Sequence, residues 1–280
     1  MPPLSRPQEW RGLIYGALES GVNVFDIQAG SEIACAGLRL ALESVERRLL
    51  LLSWRISGTP GVPLGADELS ASVRAGLHRT GSVYFDVLLL DETAFHQLSP
   101  DGLAFLEELK GAGLALQIGA VCSEATLDEL MASPLFEVAA IPFNVTTGSQ
   151  TRRHIREALQ ANMTLIGYDV FPASVLRPGA AGGPETSGPS PRGLTGLFRR
   201  KQAQSQASQS AYAFVHETPG WAAAEICLGY ALTEPAFATL FVQALKLDSV
   251  ERMAKVVDRD LPTSIAAQVE MARFRIEGAP

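Results

Sequence analysis

The stretch Ala17-Leu18-Glu19-Ser20-Gly21-Val22-Asn23-Val24-Phe25-Asp26 closes a helix on a glycine and opens a short β-branched run. A glycine just past a helical pattern supplies the left-handed residue that ends a helix. Working outward, the same alternation repeats along the chain. Val22 to Asp26 reads as a strand, followed by Leu50 to Ile56, Tyr84 to Leu90, Leu114 to Val121, Val138 to Phe143, Leu165 to Phe171 and Ala236 to Val242. Amphipathic stretches lie between them: Glu9 to Ser20, Ile33 to Arg48, Ala66 to His78, Asp101 to Lys110, Glu124 to Met131 and Arg152 to Ala161. Gly111 and Gly113 serve as stops like Gly21. The strands are apolar on both faces, as parallel strands covered by helices must be. Such alternation gives either a closed (β/α)8 barrel or an open doubly wound sheet. No GxGxxG follows a strand, so the barrel is the expected fold, as one domain over residues 1–280.

Composition agrees with that class and excludes others. The chain has 280 residues, 47% hydrophobic and 19% charged, which rules out a wholly disordered or collagen-like protein. A net charge of −7 argues against nucleic acid as a partner. Three widely spaced cysteines, Cys35, Cys122 and Cys227, do not make a disulfide framework and fit a reducing compartment. The N-terminal residues lack the apolar core of a signal peptide. The most apolar stretch, Trp221 to Leu245, is broken by Glu225 and Glu234, so no membrane span is expected. A cytoplasmic protein is the expectation. His78, His96, His154 and His216 show no metal-ligand spacing. Residues 177–210 are rich in Pro, Gly, Ser, Ala and Gln around a basic cluster, Phe198-Arg199-Arg200-Lys201, and read as a long disordered insertion in the barrel.

Several segments, taken together and in order, resemble the aldo-keto reductases, a family of NADPH-dependent (β/α)8 barrels. The opening stretch from Ala17 to Asp26 is similar to that family's "ALEAGINFFDT", and Gly30-Ser31-Glu32 to its "G-x-SE". Gly76 to Leu90 resembles "SLKRLGTDYIDLLLL". Ile118-Gly119 with Glu124 to Leu130 resembles "IGVSN…EEL", Ile141-Pro142-Phe143-Asn144 "VPYN", and Leu165 to Tyr168 "VIAYSPL". The likeness covers roughly residues 10–175 and 219–260. It implies a catalytic Asp, Tyr, Lys and His at the C-terminal mouth of the barrel, where the Tyr gives a proton to the alkoxide made by hydride transfer.

Carried over residue by residue, that set is mostly replaced. Asp26 matches the Asp. The segment Ile27-Gln28-Ala29-Gly30-Ser31 has no Tyr, Arg55 stands at the Lys position and Asp91 at the His position. An Arg hardly deprotonates, and a second carboxylate near a developing oxyanion has the wrong sign. Among the cofactor contacts that the resemblance implies, the Ser-Asn pair becomes Val121-Cys122 and a Gln becomes Ala140, while Tyr168 keeps the stacking ring. The late phosphate segment "G-x-S-S-V-E-x-L-x-x-N" corresponds to Lys246 through Val256, where Ser249, Val250 and Glu251 persist and Lys246 and Arg252 offer positive charge. Two lost amide-reading groups, at about 1 kcal/mol or more each, predict weak NADP binding or none. The family's first strand has no counterpart in the sequence. An open seven-stranded barrel would then have two free edges, to be closed by the last strand, by the long insertion, or by a partner protein or second copy, the last being the expectation here.

Three functional readings follow. The leading one is a non-reductive family-like protein acting as a noncatalytic or regulatory subunit through protein contact, a role for which the resemblance implies precedent among subunits of a ligase and of potassium channels. The alternative is a redox-neutral enzyme (epimerase, dehydratase or cyclase type) in which Arg55 bridges Asp26 and Asp91, with Cys122 as nucleophile or base. A divergent NADP(H)-dependent oxidoreductase, relying on Tyr168, Lys246, Ser249 and Arg252, is the third.

Overall fold

In the computed structural model, residues 4–176 and 211–277 are described. The expected insertion at 177–210 lies outside them. The first helix, α1 (Pro7–Glu19), starts with Pro7 at its first position, and the Glu9 carboxylate accepts from the Ser5 and Arg6 amides. It ends where the sequence puts the stop, with Gly21 at φ 82°. Then β1 (Val24–Gln28) leads through α2 (Glu32–Leu42) to β2 (Leu51–Ile56), and α3 (Ala66–Thr80) to β3 (Phe85–Leu90). After α4 (Glu92–His96) and α5 (Pro100–Gly111) comes β4 (Ala115–Val121), then α6 (Glu124–Met131), β5 (Phe136–Pro142), α7 (Ser149–Gln160) and β6 (Thr164–Tyr168). The remainder comprises α8 (Ala173–Leu176), α9 (Phe214–Glu217), α10 (Ala223–Leu232), β7 (Phe237–Leu240), α11 (Leu247–Ala254) and α12 (Thr263–Glu277).

All seven strands pair in parallel and in chain order, β1 through β7. Each strand-to-strand step crosses over through at least one helix, which is the (β/α)8 pattern with seven of its strands supplied by the described residues. The outer ends of the series, β1 and β7, are both free edges among those residues. The sheet is curled. A flat sheet would set β2 and β7 about 24 Å apart at the usual strand spacing of about 4.8 Å. Yet the Arg55 guanidinium, on β2, lies 5.9 Å from the ring centre of Phe241, just past β7. The inner face is filled by Leu89, Val138, Ala140 and Ile166, against which Val87, Val121, Tyr168 and Phe241 pack. Gly119 is needed where β4 shifts register against β5, because a Cβ there would lie 2.3 Å from the Val138 carbonyl oxygen.

Some boundaries differ from the sequence reading, for local reasons. The predicted helix over Ile33 to Arg48 stops at Leu42, and Arg47 leaves the helical path in a short 3-10 turn (Arg47–Leu49). Arg47 is then free to donate to Ser82 Oγ, Leu50 O, Tyr84 O and the Asp86 carboxylate at 2.6–2.9 Å. Its guanidinium also sits 4.0 Å over the Tyr84 ring. The predicted strand Leu165 to Phe171 ends at Tyr168, since Asp169 takes a left-handed φ of 54°. Gly111 closes α5 from inside, and Gly113, at φ 69°, makes the turn. Trp54 is a core residue, 1% exposed and stacked on Phe85 at 5.2 Å.

The chain divides into two compact units: residues 1–142, 149–168 and 235–255 form the first, with the whole sheet, and 143–148, 169–234 and 256–280 the second. Within the second, α10 is buried from Ile226 to Ala231, and the Val145 carbonyl accepts from Tyr212 Oη at 3.0 Å and Arg273 Nε at 3.4 Å. Arg273, only 5% exposed, also donates to the Tyr230 hydroxyl and pairs with Glu270 at 2.8 Å. These contacts tie the last helix to its own unit.

Candidate functional site

Registration across β1 and β2 places Asp26 opposite Ser53 and Gln28 opposite Arg55. Because strand side chains alternate, Asp26, Gln28, Ser53 and Arg55 share one face. Arg55 is aligned in turn with Leu89, so that face is the inner one. Arg55 Nη2 meets Asp26 Oδ2 at 2.5 Å, and Ser53 Oγ donates to Asp26 Oδ1 at 2.9 Å. The edge backbone at Asp26 is open, but its side chain is only 20% exposed and that of Arg55 22%. Burial pushes the Asp26 carboxyl above its ordinary pKa, against the opposing pull of the Arg55 charge and of the Ser53 hydrogen bond. Arg55 is incompletely satisfied: its Nε is buried without a hydrogen-bond partner.

Asp91 does something else. It follows β3 and caps α4, its Oδ1 accepting from the Ala94 amide at 2.7 Å and the Gly58 amide at 3.0 Å. Gly58 can approach this closely only without a side chain, since a Cβ would lie 2.5 Å from Ala94 N. The expected bridge of two carboxylates by Arg55 is therefore corrected: Arg55 pairs with Asp26, and Asp91 is held by backbone amides. Cys122 is also corrected as a nucleophile or base. It is 1% exposed, its Sγ lies 3.7 Å from the Ala140 carbonyl oxygen, and burial pushes its thiol up to about 12.

The residues assigned to cofactor contacts are spread over three elements. Tyr168 ends β6 and packs on the inner apolar cluster. Lys246 precedes α11 and is exposed; Ser249 lies in the first turn of that helix and Arg252 in its last, with Arg252 Nε donating to the Asp248 carbonyl at 3.3 Å. A polar cluster joins the ends of β3 and β4. Glu92 Oε1 accepts from Ser123 Oγ at 2.5 Å and from the Thr126 hydroxyl, which hold its carboxyl below the usual range. His96 Nε2 lies 3.3 Å from the same Thr126 hydroxyl. Ser53 and Phe241, the neighbours that define the surroundings of Asp26 and Arg55, were not singled out either. The two-residue spacing of Ser53 and Arg55 on one strand was the signal for the first. Among the described residues no group of three or more His, Cys, Asp or Glu side chains is placed to hold a metal.

The family model for the aldo/keto reductases matches residues 6–273. The chain belongs to the aldo/keto reductase family. Solved aldo-keto reductases share its fold at low identity. One from Bacillus halodurans, in its holo form, is 15% identical with a TM-score of 0.70, over 98% of this chain and 87% of that one. Its apo form gives 14% and 0.70, over 96% and 87%. One from Klebsiella pneumoniae, in complex with NADPH, gives 15% and 0.68, over 98% and 86%. No curated protein matches the sequence. Among the described residues no helix is long and apolar enough to cross a membrane. For an aldo/keto reductase fold, the C-terminal ends of the strands are where chemistry resides, and Asp26, Arg55 and Asp91 all lie toward them.

Proposed function

We propose that this chain is a non-reductive aldo/keto reductase family member, acting in the cytoplasm as a noncatalytic or regulatory subunit through protein contact. The observation that carries this reading is the Arg55–Asp26 pair. A guanidinium held on a carboxylate is not a proton donor at neutral pH, and the adjoining segment, residues 27–31, contains no phenol. Asp91, where the resemblance puts the orienting His, is engaged as a helix cap. Among the described residues β1 ends the sheet with no strand on its outer side, which supports contact with a partner or a second copy, since exposed strand edges recruit strands.

At the nicotinamide end of NADP(H), Tyr168 keeps a ring on the inner face, but Val121 and Cys122 do not suit the amide. Val121 packs on the apolar cluster, Cys122 is buried against the Ala140 carbonyl, and neither offers an amide-reading group. Only the positive charges at α11 suit a phosphate. A divergent NADP(H) oxidoreductase draws its support from the Klebsiella relative solved with NADPH. The redox-neutral reading draws its support from the raised Asp26 carboxyl, a group closer to general-acid duty than an ordinary aspartate. An assay of NADPH oxidation with short aldehydes and ketones separates the oxidoreductase from the other two readings. The proposal expects no rate above the protein-free control, and protein-dependent turnover would sink it.

A further inference from the structure

We propose that the upper inner face of the sheet binds the carboxylate of an apolar organic acid, with Arg55 as its anchor. This goes beyond the subunit reading and does not depend on it. Arg55 spends one terminal nitrogen on Asp26 at 2.5 Å. Its Nε is buried without a partner, and Nη1 makes no hydrogen bond among the described residues. Arg47, in the short turn before β2, uses Nε, Nη1 and Nη2 on protein acceptors. An arginine left with spare donors beside water-accessible, partly buried surroundings is a fork awaiting two oxygens. The surroundings suit an apolar body: Phe241 at 5.9 Å, Leu89 in register with Arg55, then Ala140 and Ile166.

Charge decides between a neutral acceptor and an acid. Asp26 is contacted by Arg55 and Ser53 from β2, with Gln28 on its own strand; the inner cluster beyond Arg55 holds Val87 and Leu89 from β3, Tyr168 from β6 and Phe241 past β7. Arg55 is thus the one charged side chain facing Asp26 among the described residues. When a ligand carboxylate takes Arg55, Asp26 loses its counter-charge and picks up a proton from solvent. Burial already favours that protonated form. One anion replaces another on the guanidinium, so no uncompensated charge is added to a sheltered site.

The test is calorimetric titration with hexanoate and, separately, hexanamide, run in two buffers of different ionisation enthalpy. The expected result is saturable hexanoate binding with uptake of about one proton, strengthening by up to about tenfold per unit as pH falls toward Asp26 protonation. Hexanamide should bind at least about tenfold more weakly. Asp26→Asn removes the competing carboxylate and should bind hexanoate more tightly than wild type at neutral pH, with the pH dependence lost. The double variant Asp26→Asn/Arg55→Met removes the pair without stranding a charge and should abolish binding. No hexanoate binding by the wild type at millimolar ligand, equal binding of the amide, or undiminished binding by the double variant would each overturn the proposal. None of these outcomes bears on cofactor turnover, so this inference and the subunit reading fail separately.

Discussion

Two arginine–aspartate pairs sit in this sheet, and they are built differently. At the N-terminal end, Arg47 donates to Asp86, to two backbone carbonyls and to Ser82, while Asp86 also accepts from the Leu52 amide at 2.7 Å. Toward the C-terminal end, Arg55 holds Asp26 through one nitrogen and leaves Nε unpaired. Both pairs are sheltered to a similar degree, with side-chain exposures of 15% and 13% against 22% and 20%. Saturation, not burial, separates them. A pair whose arginine engages all three of its nitrogens has one arrangement and serves stability. A pair with spare donors keeps an alternative arrangement open, as a binding site requires. The two ends of a barrel divide in the same way, stability below and chemistry above.

The comparison is broken or sharpened by substitution. The largest effect belongs to Arg47→Met, which strands Asp86 and several acceptors and should cost about 3–5 kcal/mol of unfolding free energy in urea denaturation. A loss under about 1 kcal/mol would show that the clasp is not what we describe. Arg55→Met should cost less, about 1–2 kcal/mol at neutral pH, and the loss should shrink on acidification as Asp26 takes up a proton. Asp91→Ala removes a helix cap, with an expected cost of about 1 kcal/mol and no change in hexanoate affinity; a large drop in that affinity would return Asp91 to the site.

The smallest effect is a slope. The folded Asp26 carboxyl is raised above the ordinary 3.8, so its contribution to stability is complete below that value and is lost as pH rises through the folded pKa. Wild type should therefore lose stability relative to Asp26→Asn as pH climbs from about 3.8 through the raised folded value. The opposite slope would mean that Arg55 outweighs burial.

The fold was legible because parallel strands are apolar on both faces and glycines mark where helices stop. All seven strands overlap the runs that the sequence puts forward; Asp169 shortens β6, and Arg47 lies where the chain has left the expected helix. The site was legible only in its members. Asp26 and Arg55 could be named because the family resemblance puts a catalytic Asp and Lys at those positions. That Arg55 chooses Asp26 over Asp91 depends on register and on two backbone amides, from Gly58 and Ala94, that no residue type announces. Cys122 was misread for a related reason. Its position after β4 suggested the mouth, but burial, which makes the thiol inert, is a property of the neighbours.

The central claim, that the mouth of this barrel no longer serves a nicotinamide cofactor, is tested most directly by calorimetric titration of the purified protein with NADPH and NADP⁺. The account predicts no saturable binding up to about 1 mM, in keeping with two lost amide contacts. Binding of either nucleotide in the micromolar range would contradict it, and would make the Arg55–Asp26 pair part of a working oxidoreductase.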